Sequence, residues 1–566
     1  MQLSKFTVST LLVVLTVIAL AIPSASAQQV VEADKYAVAS GHPAATAIGL
    51  DVLRSGGNVI DAAIATSLAV GVAEPYGSGL GGKLILLYRE AATGKVRSIV
   101  ALCASPAALD AEGFTRLSKD EREHGYLSVG VPGLVAGLHE AYERWGSKPW
   151  QELTEPAANL AETGILIDAT MQGLYKSHVA DLQKDPEASD LYLYRGKLPP
   201  VGARLKNADL AATLRLIGQQ GARAFYEGTT ADSIVRAAQK AGSAMALDDF
   251  HNYRAEYGEP LAIKYREHRI YSCPPPLTGG ATVLATLKAM EKQPPLEPQA
   301  RFLTYADRMG RTLLCLYPQI QDQIADAPTS RTAAERMLTD EAADRLASAA
   351  LEVDPQNPYP KPAKVQPAAD GLPSASTTHL VVADAAGNLV SLTQSLSLHF
   401  GAAVVAPGTG FLLNDSLSNF SIHNPDNVNH VAPGKRARST ISPIIATKGD
   451  RAVLTLGIPG GQRIPTTTTQ LLWQFFDRGQ SLPDTFAATR FHLMRPVTAK
   501  QPFNLMEFEA DAPASWEQEL AERGWKTKRY PRNGLYFGGG NAIEIVETGK
   551  LIGVADPRRT NFVAGD

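Results

Sequence analysis

Thr377 is the residue whose type and place in the chain most clearly suggest chemistry. It begins the run Thr377-Thr378-His379 directly after a proline-rich segment, residues 354–376. A threonine hydroxyl is a weak nucleophile, but a threonine at a new N-terminus can use its own α-amine as the base. The reference pKa of an α-amine, about 7.7–8.0, suits that task near neutral pH. Such chemistry would require a cut between Ser376 and Thr377, but paired threonines also begin many ordinary strands, and these residues alone favour that simpler interpretation.

The segments on either side of Thr377 differ in character. The prolines of residues 354–376 are typical of an extended, poorly ordered linker. After it, apolar residues at 380–382 and 389–393 flank a turn at Asp384–Asn388, which predicts a hairpin. Similar patterns predict four further strands and one helix, at Ala403–Val405, Ile444–Ile445, Ala452–Leu454, Ala542–Val546 and about Thr467–Phe476.

The N-terminal half is expected to begin with two helices. Pro43 suits the first turn of a helix that ends at Ser55-Gly56-Gly57, and a second helix should cover Val59–Ala73. The glycine-rich run at 77–82 lacks the spacing of a phosphate-binding loop, so it indicates tight turns or close backbone approach. Residues 150–350 are predicted to be mostly helical.

Composition narrows the class of protein. Of the 566 residues, 45% are hydrophobic and 20% are charged, as in soluble globular proteins, and a net charge of -3 implies no general affinity for nucleic acid. The widely spaced Cys103, Cys273 and Cys315 favour three buried thiols over one disulfide. The histidines do not follow a zinc-protease pattern, so no metal or cofactor is expected.

The first 27 residues have the pattern of a signal peptide. Lys5 precedes an apolar run, Leu11–Ile22, and Ala25-Ser26-Ala27 forms a cleavage site of small residues. We therefore expect a mature protein that begins after Ala27 and works in the periplasm or outside the cell. A retained membrane anchor is the alternative, although the apolar run is short for a membrane span.

Motifs spread over nearly the whole chain resemble those of the γ-glutamyltranspeptidase family of N-terminal-nucleophile hydrolases. Around Thr377, the match includes Val390–Ser395 and Phe400-Gly401. Further matching motifs occur in the same order as in the family: Gly56-Gly57-Asn58, Asp61-Ala62-Ala63, Glu74-Pro75, Gly79-Leu80-Gly81-Gly82, Val129-Gly130-Val131-Pro132-Gly133, Pro274-Pro275-Pro276, Gly279-Gly280, Leu412-Leu413-Asn414, Gly434-Lys435-Arg436, Ile458-Pro459-Gly460-Gly461 and Asp556-Pro557-Arg558.

The resemblance implies a four-layer αββα sandwich and a catalytic centre. One precursor would give a large subunit, residues 28–376, and a small subunit, residues 377–566, which pair as a heterodimer. Thr377 would attack its own preceding carbonyl first and an amide substrate afterwards. Ser395 replaces a second threonine of the family and keeps its hydroxyl. The backbone N–H groups of Gly460 and Gly461 would stabilise the oxyanion of the tetrahedral intermediate.

The acyl-donor pocket departs from the family pattern. Leu102, or Cys103 if the register slips by one, takes the place of the arginine that anchors the substrate carboxylate. On the ammonium side, Ser397, Ser416 and Asn419 replace an asparagine, a glutamine and an aspartate. The paired serines that bind carboxylate become Ser439 and Thr440, which keep their hydroxyls.

These differences predict an amide hydrolase or acyltransferase with an altered acyl donor, one that is not a zwitterion. The alternative is a true γ-glutamyl enzyme in which Arg438 replaces the missing guanidinium. A third possibility, from another class, is a pseudoenzyme that binds a ligand without turning it over. Residues 420–436 are short beside relatives that carry a lid over the site, which would favour hydrolysis over transfer.

Overall fold

The computed structural model describes residues 28–296, 302–358, 375–494 and 502–566. The predicted signal peptide and residues 359–374 of the predicted linker lie outside the described residues. Across the described ranges, no helix is both long and apolar enough to cross a membrane.

The helices of the described ranges lie mostly before Thr377. In chain order they are α1 (Pro43–Arg54), α2 (Val59–Ala73), α3 (Ala111–Arg116), α4 (Lys119–Glu123), α5 (Leu134–Trp145), α6 (Trp150–Thr163), α7 (Ala169–Lys176), α8 (Val179–Leu182), α9 (Pro186–Tyr192), α10 (Ala208–Gln220), α11 (Arg223–Tyr226), α12 (Thr229–Lys240), α13 (Leu247–His251), α14 (Thr278–Lys292), α15 (Phe302–Gln323), α16 (Ser330–Met337), α17 (Asp340–Glu352), α18 (Arg463–Phe476), α19 (Leu482–Ala487) and α20 (Ser515–Glu522).

The strands come from both halves of the chain. In chain order they are β1 (Gln29–Ala33), β2 (Tyr36–Ser40), β3 (Lys83–Arg89), β4 (Val96–Ala101), β5 (Ile165–Leu166), β6 (Arg204–Leu205), β7 (Glu256–Gly258), β8 (Leu261–Tyr265), β9 (His268–Ser272), β10 (Ala375–Asp384), β11 (Leu389–Leu398), β12 (Ile444–Lys448), β13 (Arg451–Gly457), β14 (Phe491–Leu493), β15 (Leu505–Glu509), β16 (Lys526–Tyr530), β17 (Asn541–Ile545), β18 (Leu551–Ala555) and β19 (Phe562–Gly565).

Two antiparallel sheets form the centre of the molecule. The described strands of the first sheet run in the order β1-β18-β17-β13-β12-β9-β8, and those of the second in the order β19-β2-β10-β11-β3-β4-β7. In both sheets, strands from before residue 359 pair with strands from after residue 374. The two predicted subunits therefore share both sheets, and neither half supplies a complete sheet.

Three apolar interfaces hold four layers together. The second sheet packs against α1, α2, α5, α6 and α10 through residues such as Leu68 and Leu392. A small-residue interface that includes Val381 and Ile445 joins the two sheets. The first sheet packs against α14–α18 through residues such as Leu284. This arrangement confirms the predicted αββα sandwich.

The predicted helical pair forms for local reasons. Asn58 caps α2 by accepting hydrogen bonds from the N–H groups of Ile60 and Asp61, and the Asp61 carboxylate accepts one from the Asn58 N–H. This reciprocal capping box begins a helix whose residues are almost all buried. The observed helices, Pro43–Arg54 and Val59–Ala73, match the predicted ones closely.

The hairpin at Thr377 is confirmed, but its first strand begins earlier than predicted. β10 already starts at Ala375, because Ala375 pairs with Leu398 and Ser376 pairs with Ser397. The last two residues of the predicted linker therefore belong to a strand. The bond between Ser376 and Thr377 lies within this strand, where the pairing with β11 changes register.

Two other expectations need correction. The predicted strand Ala403–Val405 is wrong, because Phe400 and Ala403 adopt positive φ angles of 63° and 57° and turn the chain away from a sheet. The middle region is mostly helical as predicted, but 256–272 contributes three strands to the two sheets. The strand predictions near 444, 452 and 542 and the helix near 467 are confirmed.

The cysteines are free thiols, as favoured by their spacing. Cys103 and Cys273 are buried, whereas Cys315 is only partly buried, so the expectation of three buried thiols holds for two of them. Burial raises the pKa of Cys273 to about 12 and that of Cys315 to about 11, which keeps both in the thiol form near neutral pH.

Candidate active site

Thr377 lies in a β-bulge. Ser376 pairs with Ser397, but Thr378 pairs with Gln394, so two residues of β11 face the single residue Thr377. A bulge of this kind bends the strand and re-aims a side chain, and bulges are frequent beside active sites. Here it directs the Thr377 side chain back toward the preceding peptide bond.

The Thr377 hydroxyl is in contact with the carbonyl that it is predicted to attack. Its Oγ1 lies 2.5 Å from the Ser376 carbonyl oxygen and 3.2 Å from Ser395 Oγ. The Ser395 hydroxyl donates to the same carbonyl oxygen. The Ser376 hydroxyl donates to the backbone carbonyl of Gly77 at 2.6 Å, which holds the residue before the bond in place. The structure thus brings Ser376, Thr377 and Ser395 together, as the sequence predicted.

Two charged residues that the sequence analysis did not assign to the site lie next to Thr377. The half-buried Arg559 donates from Nη1 to the Thr377 carbonyl oxygen at 2.7 Å. The buried Glu74 carboxylate accepts from the Thr378 hydroxyl at 2.7 Å and from the Tyr76 hydroxyl at 2.6 Å. Both residues belong to or adjoin motifs quoted above, Glu74-Pro75 and Asp556-Pro557-Arg558, and this proximity was the available signal.

His379 packs between the sheets instead of contributing to this centre. Its Nδ1 lies 2.8 Å from Thr393 Oγ1, and its ring occupies the space that a side chain at Gly457 would need. Burial lowers the pKa of His379 to about 3, so the ring stays neutral in the sheet interface near neutral pH.

The predicted oxyanion turn has a backbone that favours glycine. Gly460 and Gly461 have φ angles of 146° and 59°, and their carbonyls accept from the N–H groups of Arg463 and Ile464 as α18 begins. The Thr440 hydroxyl donates to the Gly461 carbonyl at 2.9 Å. The carbonyl groups of the turn therefore accept hydrogen bonds from within the protein, and its N–H groups are the donors that can face a substrate.

A cleft of about 800 Å³ reaches this turn. It passes between α7 and the loop at 533–536, and its wall includes His399, Gly460, Arg463 and Arg559. Volumes of this size are typical of small-molecule sites. The cleft supplies space next to the oxyanion turn for part of a substrate.

Lys83 was missed by the sequence analysis, and it joins three of the predicted pocket residues. Its ammonium donates to Ser397 Oγ and, at 3.2 Å, to Ser416 Oγ. The two hydroxyls lie 3.2 Å apart, and Asn419 Nδ2 donates to Ser397 Oγ at 3.1 Å. Lys83 and Ser416 are buried, whereas Ser397 and Asn419 are half-buried. We call these four residues the acyl-donor pocket.

Ser397 connects the acyl-donor pocket to the nucleophile. Its backbone N–H donates to Ser395 Oγ at 3.0 Å, and Ser395 in turn contacts Thr377. Ser397 has a φ of 89°, a conformation that costs a non-glycine residue about 1–3 kcal/mol and is retained most often at functional sites. This backbone turns the Ser397 hydroxyl toward Lys83.

A buried carboxylate lies behind the pocket. Asp415 accepts from the Leu398 N–H at 2.8 Å and from the Ser418 hydroxyl at 2.7 Å. Burial raises the pKa of Asp415 to about 6, while these hydrogen bonds and the charge of Lys83 act to lower it. Burial also raises the pKa of the nearby Cys103 thiol, with Lys83 acting in the opposite direction.

Leu102 and Cys103, the two candidates for the missing arginine, point to different surroundings. Leu102 is fully buried in an apolar cluster with Leu277, Ile441 and Ile464. Cys103 interacts with Ser416 and lies within the field of Lys83. Leu102 thus lies in the core, and the contact with the polar pocket is made by the next residue.

Two further predicted residues, Arg438 and Ser439, make contacts with neighbouring helices. One guanidinium nitrogen of Arg438 donates to the Gln321 carbonyl at 2.9 Å, which ties it to the end of α15. The Ser439 carbonyl accepts from the Thr278 N–H at 2.7 Å, at the start of α14. Of the residues described between 420 and 436, none lines the cleft beside Gly460.

A group of possible metal ligands lies at the cleft rim. One ligand atom from each of Asp120, His124 and Asp181 lies within 4.8 Å of the others. Lys184 already contacts both carboxylates, at 3.0 Å from Asp120 and 3.3 Å from Asp181. The group therefore has a cation of its own, and we assign it no metal.

Comparisons with known proteins agree with this geometry. The family model described as Gamma-glutamyltranspeptidase matches residues 45–566. A Pseudomonas sp. (strain V22) protein named Acylase ACY 1 proenzyme is 33% identical over 543 residues, covering 92% of this chain and 91% of that one. A Pseudomonas sp. (strain A14) protein named Glutathione hydrolase proenzyme is 31% identical over 522 residues, covering 88% of each. The crystal structure of a cephalosporin acylase from Bacillus halodurans superposes with a TM-score of 0.84 at 29% identity, covering 96% of this chain and 98% of that chain.

Proposed function

Since the chain belongs to the gamma-glutamyltranspeptidase family of N-terminal-nucleophile enzymes, we propose that it is a self-cleaving amide hydrolase whose acyl donor lacks an α-ammonium group. The observation that carries the catalytic half of this proposal is the contact of Thr377 Oγ1 with the Ser376 carbonyl, shared with Ser395. The half that concerns the acyl donor rests on the residues of its pocket.

The geometry of the bulge supports self-cleavage. Thr377 Oγ attacks the Ser376 carbonyl carbon, the peptide C–N bond breaks, and the hydroxyl proton passes to the departing nitrogen. Ser395, which donates to that carbonyl oxygen, stabilises the negative charge that develops there. Water then hydrolyses the resulting ester, leaving a carboxylate on Ser376 and a free α-amine on Thr377.

Turnover uses the same hydroxyl a second time. The Thr377 α-amine accepts the hydroxyl proton as Oγ attacks the substrate amide carbon. The N–H groups of Gly460 and Gly461 stabilise the oxyanion, and the amine leaves with the proton. Water, activated by the same α-amine, hydrolyses the acyl-enzyme and releases the acid. The cleft that reaches Gly460 gives the leaving group or an acceptor a place to bind.

The acyl-donor pocket supports a donor that is not a zwitterion. Asn419 provides no negative charge for a substrate ammonium, and the Lys83 ammonium, in the same pocket, opposes one. Leu102, at the position where the family resemblance expects a guanidinium, is buried in an apolar cluster and supplies no charge. Relatives named acylase and relatives named glutathione hydrolase are about equally similar to this chain. The choice between the two kinds of acyl donor therefore rests on the pocket residues.

The segment at 420–436 supports an open site and hydrolysis rather than transfer. Its residues pack against the region around Ser105, with Lys435 N–H donating to Ser105 Oγ at 2.9 Å. A site without a lid admits water to the acyl-enzyme. We also propose that the protein is exported and acts in the periplasm or outside the cell; N-terminal sequencing of the mature large subunit should begin at Gln28.

The proposed donor preference is tested with two anilides in the wild type. Glutaryl p-nitroanilide should have a kcat/KM at least about tenfold above that of γ-glutamyl p-nitroanilide, since the two differ only in the α-ammonium. A clear preference for the γ-glutamyl compound would refute the proposal and favour a true γ-glutamyl enzyme. A denaturing gel of the same sample should show two subunits, and a single uncut chain without turnover would instead indicate a pseudoenzyme.

A further inference from the structure

We propose that Lys83 determines specificity by binding a carboxylate at the far end of the acyl donor. This inference rests on the proposed function and adds to it the residue that selects the donor. Lys83 is a positioning residue for the substrate and takes no part in the covalent steps.

The first support is the register of the catalytic sheet. Lys83 is the direct cross-strand partner of Ser395, the residue that contacts the nucleophile. Side chains of directly opposed residues in an antiparallel pair lie on the same face. The pairing of β3 with β11 therefore places a cation beside the reacting centre, where an acyl chain attached to Thr377 would pass.

The second support is the set of groups around the ammonium. Ser397, Ser416 and Asn419 all contribute groups that can donate hydrogen bonds, two hydroxyls and one amide NH₂. An ammonium with three neutral donors can surround both oxygens of a carboxylate with charge-assisted hydrogen bonds. Because Ser397 and Asn419 are half-buried, a ligand can approach the pocket from their side.

The third support is the direction of the existing charges. The carboxylate oxygens of Asp415 accept from the Leu398 N–H and the Ser418 hydroxyl, which orient this acid from behind the pocket. Lys83 Nζ donates to Ser397, at the half-buried side, and to the buried Ser416. The pocket thus presents positive charge toward the approach path, which favours an anionic end group and disfavours an ammonium.

The decisive experiment compares two substrates that differ only at their far end. Glutaryl p-nitroanilide ends in a carboxylate, and pentanoyl p-nitroanilide ends in a methyl group at the same chain length. A charge-assisted hydrogen bond contributes about 1.5–3 kcal/mol, so the wild-type kcat/KM ratio should favour glutaryl by about 10- to 100-fold. Lys83→Met should reduce the ratio to within about threefold of unity, mainly through KM.

Three further variants keep the test informative. Lys288→Met makes the same change at a partly buried lysine in α14, whose ammonium donates to the Leu338 carbonyl, and it should retain the wild-type ratio. Lys83→Arg keeps the charge and should retain most of the selectivity. Asn419→Asp leaves Lys83 in place but adds a competing carboxylate, so it should lower the ratio about tenfold. This variant tests the inference if Lys83→Met fails to fold or to cleave itself.

Binding of the free acids provides a readout that does not need turnover. Titration calorimetry on the cleaved wild type should show glutarate bound at least about tenfold more tightly than pentanoate, and Lys83→Met should abolish the difference. A purely structural role for Lys83 would alter stability but would leave both the substrate ratio and the acid preference unchanged, which would overturn the inference.

The outcomes separate this inference from the proposed function. If the wild type prefers γ-glutamyl anilide to both other anilides, the proposed function fails. If it disfavours γ-glutamyl anilide but does not distinguish glutaryl from pentanoyl, only the inference about Lys83 fails. If it prefers glutaryl and Lys83→Met keeps that preference, the carboxylate is bound elsewhere and Lys83 is again excluded.

Discussion

The predicted catalytic corner, comprising Thr377, Ser395, Gly460 and Gly461, and the acyl-donor pocket share strand β11 but differ in how they relate to the family. In the corner, every residue keeps the group that acyl transfer requires, a hydroxyl or a glycine turn. In the pocket, Ser397, Ser416 and Asn419 replace an asparagine, a glutamine and an aspartate of the family pattern, and Lys83 contacts the two serines.

The difference between the two regions indicates where substitutions are compatible with the proposed chemistry. The corner depends on backbone features, a bulge and a turn with positive φ, which restrict the residues that can occupy it. The pocket depends on side chains that project from strands and a short 3₁₀ turn, Ser416–Asn419, whose backbone does not depend on their charge. Selectivity can therefore change while the corner stays intact.

The largest effect is expected from removing the nucleophile. Thr377→Ala should remain one chain on a denaturing gel and show no turnover above background, because no hydroxyl is left to attack the Ser376 carbonyl. Thr377→Ser, which keeps a hydroxyl, should still be cleaved. In the wild type, the small subunit should begin Thr377-Thr378-His379 on N-terminal sequencing, and any other first residue would contradict the assignment.

The second prediction concerns the backbone of the corner at Gly461. Gly461→Val should lower turnover on the order of 100- to 1,000-fold, because a β-branched residue resists a φ of 59° and displaces an oxyanion donor. Gly479→Val is the matched control, since Gly479 has a φ of 60° in open space away from the corner. It should lose stability but keep turnover per folded molecule. Equal turnover in the two cleaved variants would remove Gly461 from the mechanism.

A third change attempts to restore the family pattern in the pocket. Leu102→Arg combined with Asn419→Asp should raise kcat/KM for γ-glutamyl anilide about tenfold, because both substrate charges would then have partners. The burial of Leu102 in an apolar cluster predicts a loss of stability from the arginine, so a melting temperature must accompany the kinetics. If the folded double variant gains nothing, these two positions do not control the choice of donor.

The smallest effect should appear in the pH dependence of selectivity. Burial raises the pKa of Asp415 to about 6, so lowering the pH from 7.5 to 5.5 neutralises a carboxylate behind Lys83. The pocket then becomes more positive, and the ratio of glutaryl to pentanoyl hydrolysis should rise about two- to fivefold. Lys83, Cys103 and Glu123 share this electrostatic environment. Asp415→Asn isolates the effect, and a ratio that still rises in this variant would assign it to another group.

The local signals in the sequence were sufficient for much of the fold. Pro43, the break at Ser55-Gly56-Gly57 and the turn at Asp384–Asn388 predicted the helical pair and the hairpin, because those elements are determined by neighbouring residues. The prediction of a strand at Ala403–Val405 was wrong because positive φ angles turn the chain there while its apolar residues are still buried. The periodicity of apolar residues does not reveal such angles.

The sequence by itself determined the prediction of the nucleophile, because a threonine after a linker and its surrounding motifs are contiguous along the chain. Only the tertiary structure decided which residues surround Ser397. Lys83 lies 314 positions from Ser397 along the chain, and their contact exists because β3 pairs with β11. Strand register is a long-range property, since it depends on pairing and burial across the whole sheet. Lys83 directly follows the motif Gly79-Leu80-Gly81-Gly82, but this position alone does not show which strand or side chain it meets.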